Sequence, residues 1–439
     1  MRSDEAPRAF LGRLIAAEER EIPAVVAGFL LFFLLFASYF MLRPVRETFG
    51  IAGGVKNLQW LFTGTFVATL FVVPLYGWVA ASVPRRRLLP ILYGFSALVM
   101  AGFAVSLAID PKNVWIARAF YIWLSVMNLF VISIAWSLMA DLFEPERAHR
   151  LFGQIAAGAS LGGIAGPLLS GALVAPLGET GLLFLSAALL LSTLLCVRYL
   201  LGWRDRMGPR GDGPQPERIG GSIWAGLTLI VRSPYLIAIS GFILLLTAAS
   251  TFLYFEQARI VAATFPERTQ QTQVFAAIDV VVQSLTIFIQ IVLTGRLAKR
   301  LGVTALLAAV PVAMLFGFTL LAFVASFPVL ALVMILRRVG EYALVRPGRE
   351  MLFAPLDAET KYKAKNAIDT FVYRGGDAAA GWVYAGLVAA ATTGAAALAG
   401  AVLAGLWALV GYAIGRVHDR AHDPDRQDLR RRTKVAARI

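Results

Sequence analysis

The sequence predicts an all-α integral membrane protein of about twelve transmembrane helices, arranged as two pseudo-symmetric six-helix bundles. Of its 439 residues, 58% are hydrophobic and 15% charged, and the mean hydropathy is +0.70, whereas soluble domains are about 45–50% apolar and about 25% charged. The apolar residues form runs long enough to cross the hydrocarbon, which takes about 20 residues. Such spans must be helical because lipid offers the backbone no hydrogen-bond partner.

The chain divides into a short leading segment, two groups of spans, a linker and a tail. Residues 1–21 are mixed in charge and amphipathic, so they predict a cytoplasmic or interfacial segment and not a cleaved signal. The bundles are predicted at 22–201 and 233–416, joined by a linker at 202–232 that is rich in glycine, proline and charge, and followed by a basic tail at 417–439. The predicted spans lie at about 22–42, 58–81, 88–109, 114–140, 152–176, 180–201, 233–256, 273–298, 303–325, 328–354, 366–390 and 393–416.

Basic residues concentrate in the loops after even-numbered spans, as in Pro84–Arg87 and Gly295–Arg300, and in the tail. The opposite loops are short and nearly neutral, so both termini are predicted to be cytoplasmic, in a bacterial inner membrane. The net charge of +14 is then explained by orientation and contact with anionic lipid headgroups, and a nucleic-acid partner is not expected. The single cysteine, Cys196, excludes an intrachain disulfide and disfavours a cysteine metal site.

The two halves look like repeats of each other. Arg259 follows Arg46 by 213 positions, and the same shift places Gly162-Gly163 on Gly375-Gly376. Duplicated six-helix halves that face a central substrate site are the plan of major-facilitator-type transporters. The loops "GWVAASVPRRR" and "GRLAKRLG" resemble the basic loop between the second and third helices of that group. A positive-inside loop beside a small-residue helix contact is the open alternative.

Charged residues inside the predicted spans are the main functional signal, because charges at that depth are expensive. In the first predicted helix, which continues past its span, Tyr39, Arg43, Arg46 and Glu47 lie within about 100° of one another, and Pro44 predicts a local interruption. In the seventh helix, Glu256 and Arg259 are three apart and close enough to pair. The tenth span adds Arg338, Glu341, Tyr342, Arg346 and Arg349 on one broad face with Pro347 as a kink, and the eleventh adds Asp369, Arg374 and Asp377.

Two interpretations of these charges stay open. Either each arginine pairs with a nearby acid, such as Arg43 with Glu47, and locks a closed state, or surplus arginines face a cavity and hold an anion. The first and tenth spans hold more arginine than acid, and a guanidinium group suits phosphate and carboxylate oxygens, which favours the anion site. The candidate substrate-binding residues are Arg46, Arg349, Arg43, Arg259 and Arg346.

The segment "EYALVRPGREMLFAPLDAETKYKAKNAIDTF", Glu341 to Phe371, closely resembles the ATP/ADP translocases of plastids and obligate intracellular bacteria. That family has a basic residue before Glu-Met, then Pro-Leu-Asp, a Thr-Lys-x-Lys-x-Lys run and Ala-Ile-Asp. In addition, "LRPVRE" in the first span looks like the family's Leu-Arg-Asp-x-Lys-Asp, and "RSPYL" before the seventh looks like its Ser-Ser-Pro-Tyr-Ile. The matching positions are Arg349-Glu350-Met351, Pro355-Leu356-Asp357, Thr360-Lys361, Lys363, Lys365 and Ala367-Ile368-Asp369.

The resemblance implies a twelve-helix major-facilitator fold and the transport of nucleotides, by ATP/ADP exchange or together with protons. The family's phosphate-contacting basic residues fall on Arg46 and Arg349, so substrate phosphates are expected to bridge these two residues during alternating access. The family's important glutamates on the fourth and seventh helices do not carry over. Their positions fall near Leu124 and Tyr254, with Glu256 only a neighbour. Strict counter-exchange is therefore in doubt, and another nucleotide, another anion or proton symport stays open.

The candidates for coupling or gating are the acids Glu256, Glu341 and Asp369 and the rim residues Lys361 and Lys363. Asp279 stands alone in its span and suits either a proton role or a polar helix contact. Transport of another phosphorylated or carboxylated metabolite, or a membrane sensor, is the alternative function. An enzyme is not expected, since a G-x-x-x-x-G-K-[ST] loop and ligand-spaced histidine or acid clusters are missing from the sequence, and no cofactor or metal is predicted. The aromatic residues placed to stack on a base, or simply to pack, are Tyr39, Phe40, Trp60, Phe62 and Tyr254.

Overall fold

The computed structural model describes residues 18–143, 145–206 and 223–421, and every secondary-structure element in these ranges is helical. Most of the predicted leading segment, the centre of the linker and the tail beyond Ala421 lie outside the described residues. The helices are α1 (Ile22–Ala52), α2 (Leu58–Ser82), α3 (Arg85–Ile109), α4 (Val114–Leu142), α5 (Pro145–Arg206), α6 (Ile223–Arg232), α7 (Pro234–Thr264), α8 (Arg268–Ile289), α9 (Gly295–Phe323), α10 (Phe327–Gly340), α11 (Arg346–Leu352), α12 (Ala358–Ala367), α13 (Tyr373–Ala390) and α14 (Thr393–Ala421).

Nine of the described helical stretches are long and apolar enough to cross a membrane, which agrees with the predicted all-helical membrane fold; the count of twelve spans stays a prediction. One of the nine, within α5, covers two predicted spans. The chain bends there at Gly178, whose φ of +66° is readily adopted only by glycine. The predicted tenth and eleventh spans are not among the nine. They are the most charged, and the π-helical turns Glu341–Val345 and Ile368–Val372 interrupt them.

The described chain forms two compact units. The N-terminal unit consists of the described residues of Met1–Gly54, Val67–Pro216 and Phe265–Gln283. The C-terminal unit consists of those of Val55–Phe66, Glu217–Thr264 and Ser284–Ile439. The division falls inside α2 and α8, and the predicted bundle boundaries at residues 22–201 and 233–416 stay a prediction.

In the N-terminal unit, α1 packs along α5. The contact face of α5 carries Gly158, Gly162 and Gly166, each one turn from the next, directly against the backbone of α1. At Gly166 an added methyl group would lie 2.7 Å from the carbonyl oxygen of Ala37. Small residues are how membrane helices approach closely, since lipid supplies no hydrophobic drive for helix association.

The C-terminal unit uses the same device between α13 and α7. At Gly376 an added methyl group would lie 2.6 Å from the Thr247 hydroxyl oxygen. A second contact joins α14 to α9, where the Asp419 carboxylate accepts hydrogen bonds from the backbone N–H groups of Val303 at 2.9 Å and Thr304 at 3.0 Å. The helix has a kink at Gly302, where φ is +73°, and these N–H groups belong to the first two residues after it. Asp419 therefore caps the helical segment that begins after the kink.

The two prolines predicted to disturb helices behave differently. The predicted interruption at Pro44 is wrong, because α1 runs unbroken from Ile22 to Ala52. The Thr48 hydroxyl donates to the Pro44 carbonyl at 3.2 Å, a bond within the helix that leaves its path unbroken. At Pro347 the backbone is irregular as predicted, with the π-helical turn Glu341–Val345 just before it.

We expect the substitution Gly162→Ala to destabilise the protein and Gly153→Ala in the same helix to leave it unchanged or slightly more stable. An added methyl group at residue 162 meets Phe33 and Ala37 of α1, whereas at residue 153 it meets nothing within 4 Å. Alanine favours a helix over glycine by about 1 kcal/mol, but overpacking costs about 1–3 kcal/mol. Thermal unfolding in detergent measures both variants. Equal melting temperatures would show that the contact between α1 and α5 is loose.

Candidate functional site

In the N-terminal unit, two arginines of α1 meet two carboxylates. Arg46 pairs with the adjacent Glu47, its Nη1 lies 3.4 Å from the Ser125 hydroxyl of α4, and its guanidinium stacks 5.3 Å from the Tyr121 ring centre. Arg43 Nε lies 3.8 Å from Asp279 Oδ2 of α8. The four charged side chains are 4–16% exposed, so this is a buried, charge-balanced cluster.

The pairing differs from the one expected for α1. The predicted pair of Arg43 with Glu47 is wrong, because Glu47 turns to its neighbour Arg46 and α8 brings Asp279 to Arg43. Asp279, isolated in its own span, thus makes the polar helix–helix contact that was one of its two expected roles. A partner 236 positions from Arg43 leaves no signal in local spacing.

In the C-terminal unit, the predicted pair of Glu256 and Arg259 is confirmed. Arg259 donates to Glu256 Oε2 from Nη2 at 2.6 Å and from Nε at 3.2 Å. The Tyr384 hydroxyl of α13 donates to Glu256 Oε1 at 2.7 Å. Glu256 is only 2% exposed, so both carboxylate oxygens are satisfied in the interior of the unit.

A second cluster of the C-terminal unit lies where α10 passes into its π-helical turn. Arg337 donates to Glu341 Oε2 at 2.8 Å and to the Ser250 hydroxyl of α7 at 2.6 Å. Arg346 approaches Glu341 Oε1 only to 3.9 Å and is 59% exposed. Arg337 was not among the predicted site residues, although its spacing of four from Glu341 is the signal that finds it. Arg338, which was placed on the functional face, is buried.

A third cluster joins the α11 and α12 region. Arg349 donates to Asp369 Oδ1 at 3.0 Å, and Lys365 donates to both oxygens of Glu350 at 2.7 Å. The two rim lysines of the prediction, Lys361 and Lys363, lie on α12, and Lys363 pairs with Glu359. This region is thus a network of alternating charges.

The same helix, α12, has a capped start outside the membrane-spanning stretches. Asp357 precedes the helix and accepts a hydrogen bond from the Thr360 backbone N–H at 2.9 Å. This hydrogen bond lowers the pKa of the Asp357 carboxyl because it stabilises the ionised form. The Pro-Leu-Asp element of the sequence therefore ends in a helix cap.

The five predicted substrate-binding arginines therefore all lie within 4 Å of a carboxylate oxygen. This geometry fits the ion-pair interpretation directly, and it fits an anion site in which a substrate competes with those carboxylates. The aromatic candidates contact other rings: Tyr39 with Phe40 at 5.2 Å between ring centres, Phe62 with Tyr254 at 5.3 Å and Trp60 with Trp382 at 4.8 Å.

Comparison with known proteins supports the fold and the resemblance. The family model of the Major Facilitator Superfamily matches residues 24–344. A curated relative, "ADP,ATP carrier protein 1" of Chlamydia muridarum (strain MoPn / Nigg), is 22% identical over 426 residues, which is 81% of this chain and 80% of that protein.

Solved structures with a similar fold are transporters. A bacterial homologue of the human lysosomal transporter Spinster, in an inward-facing and unoccupied conformation, has a TM-score of 0.61 at 14% identity and covers 92% of this chain and 98% of its own. The nucleoside transporter NupG has a TM-score of 0.59 at 14% identity and covers 90% of this chain and 99% of its own. At these identities the likeness concerns the fold.

We expect the substitution Arg259→Ala to destabilise the protein by about 3 kcal/mol, the lower end of the cost of breaking a buried ion pair, because Arg259 is one-third exposed. The buried Glu256 would lose the opposite charge beside it and two of its three hydrogen bonds. The double variant Glu256→Gln with Arg259→Ala should recover most of the loss, since no unpaired charge remains. Thermal unfolding without substrate measures both, and a double variant no more stable than the single one contradicts this assignment.

Proposed function

We propose that this chain, which belongs to the Major Facilitator Superfamily and is a transporter of that type, carries an anionic solute by alternating access, and that the solute is a nucleotide. One observation carries the proposal. Arginines are present at 46 and 349, where the resemblance to the ATP/ADP translocases places phosphate contacts, and both side chains are largely shielded, 15% and 17% exposed. The similarity to an ADP,ATP carrier protein along 81% of the chain supports the same substrate class.

The ion pairs of the two arginines are compatible with binding an anion. A lone guanidinium in the membrane interior is costly, and a carboxylate partner offsets that cost in the absence of substrate. Phosphate oxygens accept the same bidentate, charge-assisted hydrogen bonds as a carboxylate. A phosphate group can therefore take the place of Glu47 on Arg46, or of Asp369 on Arg349, without leaving the guanidinium unpaired. The displaced carboxylate must then find water, another cation or a proton.

The exposed charges near α12 suit the capture of an anion. Lys363 and Lys365 are held by Glu359 and Glu350, and Lys361 lies on the same helix. Lys361 and Lys363 are the two residues of this group that the sequence predicted. We assign the group to attracting or gating the substrate. Glu256, Glu341 and Asp369 would hold and release the arginines during the transport cycle.

A second candidate substrate is another phosphorylated or carboxylated metabolite. The observation that favours it is the loss of the two glutamates expected for ATP/ADP translocases. Leu124, at one of these positions, is 2% exposed in the apolar core, and Tyr254, at the other, packs on Phe62. The guanidinium groups would serve such an anion equally well.

We expect purified protein in liposomes to take up radiolabelled ATP or ADP in a saturable manner, because the buried guanidinium groups bind phosphate oxygens. Unlabelled nucleotides should compete, and an uncharged nucleoside should not. Empty liposomes provide the background. Uptake of a labelled phosphorylated sugar or tricarboxylate, with no uptake of ATP or ADP, would favour the second candidate and contradict the nucleotide assignment.

We expect Arg46→Ala and Arg349→Ala each to reduce this uptake to background. Loss of one hydrogen bond to a charged group costs about 1.5–3 kcal/mol, or about 10- to 100-fold, and each guanidinium group supplies several. Arg86→Ala is the matched control, since Arg86 forms an exposed ion pair with Asp205 and such pairs contribute at most about 1 kcal/mol. Uptake at the level of the unmodified protein by both alanine variants would refute the site.

A further inference from the structure

Asp377 on α13 is a buried carboxylate whose surroundings differ from those of the other buried acids. It is 8% exposed and accepts one hydrogen bond, from the Thr251 hydroxyl of α7 at 3.0 Å. Within the described part of the chain, no arginine or lysine nitrogen lies within 4 Å of its oxygens. By contrast, a guanidinium nitrogen lies 2.6 Å from Glu256, 2.8 Å from Glu341 and 3.0 Å from Asp369.

The missing ion pair decides which form of Asp377 the interior favours. An ionised carboxylate away from water carries a large desolvation cost that one hydroxyl group does not offset. Protonation removes the charge and with it most of that cost. In the three paired acids, the attraction of a neighbouring guanidinium group offsets the cost of the charge. Asp377 is thus the buried acid of the C-terminal unit that geometry favours for binding a proton.

The position of Asp377 is fixed by close helix packing. Gly376 lets α13 approach α7, where an added methyl group would lie 2.6 Å from the Thr247 hydroxyl oxygen and 3.0 Å from Leu244. One turn further along α7, Thr251 meets Asp377. The preceding residue, Ser250, accepts the hydrogen bond of Arg337. Adjacent residues of α7 therefore contact Asp377 on α13 and Arg337 on α10.

The charged groups around Asp377 provide a route from its protonation to the rest of the site. The charges that act on it are those of Arg374 on its own helix, Arg337 on α10 and Glu341 in the π-helical turn that follows α10. When Asp377 is neutral, Glu341 is the one carboxylate of this group that attracts Arg337. When Asp377 is ionised, the attraction of Arg337 and Arg374 is divided between two carboxylates. A change at Asp377 is thus felt by Glu341, which also faces Arg346.

We propose that Asp377 is the proton-binding residue that couples a pH gradient to movement of the anion. This inference rests on the proposed function, because it needs a transported anion. A proton from one side of the membrane bonds to the Asp377 carboxylate and gives the neutral acid. The same proton is released to the other side and the carboxylate is restored. Thr251 hydrogen-bonds the group in both forms and sets the balance between them.

The test uses the full chain in liposomes with radiolabelled ATP and two assays. The first measures accumulation driven by an imposed pH gradient, together with the signal of a pH-sensitive dye trapped inside. The second measures exchange of external for internal nucleotide at equal pH on both sides, which needs no net proton movement. Asp377→Asn should lose the accumulation and the dye signal and keep the exchange. Asp110→Asn, at an exposed carboxylate, is the control and should keep both.

A second variant, Thr251→Val, keeps the side-chain shape and removes the hydroxyl group. Since that hydroxyl donates to the ionised carboxylate, its loss favours the protonated form. The pH of half-maximal accumulation should therefore move upward by about one unit, the equivalent of one hydrogen bond to a charged group. A profile that coincides with that of the unmodified protein would overturn the assignment of Asp377.

The outcomes separate this proposal from the proposed function. Asp377→Asn protein that accumulates ATP normally, or that has lost exchange as well as accumulation, overturns the proton role. Unmodified protein that exchanges ATP but ignores the pH gradient also overturns it and leaves nucleotide transport intact. Unmodified protein that neither exchanges nor accumulates ATP contradicts the proposed function itself.

Discussion

The free-energy cost of a charge in lipid is the constraint on which the two units depend. A carboxylate or guanidinium group in the membrane interior needs an opposite charge, hydrogen bonds or water. In the N-terminal unit this requirement ties α8 to α1 through Asp279 and Arg43. In the C-terminal unit it ties α13 to α7 through Tyr384 and Glu256. The buried charges thus determine which helices must pack against each other, in addition to determining what the protein can bind.

Close packing between helices makes these charge contacts possible. The Gly162-Gly163 and Gly375-Gly376 pairs lie 213 positions apart in the sequence. Gly162 of the first pair contacts the backbone of α1, and Gly376 of the second pair contacts side chains of α7. At Gly376 a side chain would push α13 away from α7 and with it Asp377 from Thr251. Both halves therefore use glycine for a close helix contact, but the glycine that makes it is the first of one pair and the second of the other.

The spacing of residues along the sequence predicted the features that depend on the geometry of a single helix. The apolar runs predicted the helices, and the pair of Glu256 and Arg259 followed from a spacing of three. The partner of Arg43 did not follow, because Asp279 is brought to it by the packing of α8. The π-helical turn after Gly340 alters the helical register between Arg338 and the later Arg346 and Arg349, which the prediction placed on one face, and Arg337 was missed. The predicted interruption at Pro44 failed, since α1 continues through the proline. Which anion is carried, and what couples to it, depends on contacts that spacing along one helix does not encode.

The ion pairs link binding to coupling by simple charge balance. Under the proposed function, an anion that takes Arg46 from Glu47 leaves behind a carboxylate that is only 10% exposed, whereas one that takes Arg349 from Asp369 leaves one that is 40% exposed. In an exchanger, the next anion to leave restores the pair, and no proton is needed. In a symporter, a proton must neutralise one acid for each charge that is displaced. Leu124 and Tyr254 lie near the positions where the resemblance implies glutamates, with Glu256 only a neighbour, whereas Asp377 is an acid without a guanidinium nitrogen within 4 Å in the described chain. Under the proposed function, this charge balance supports proton symport rather than strict exchange.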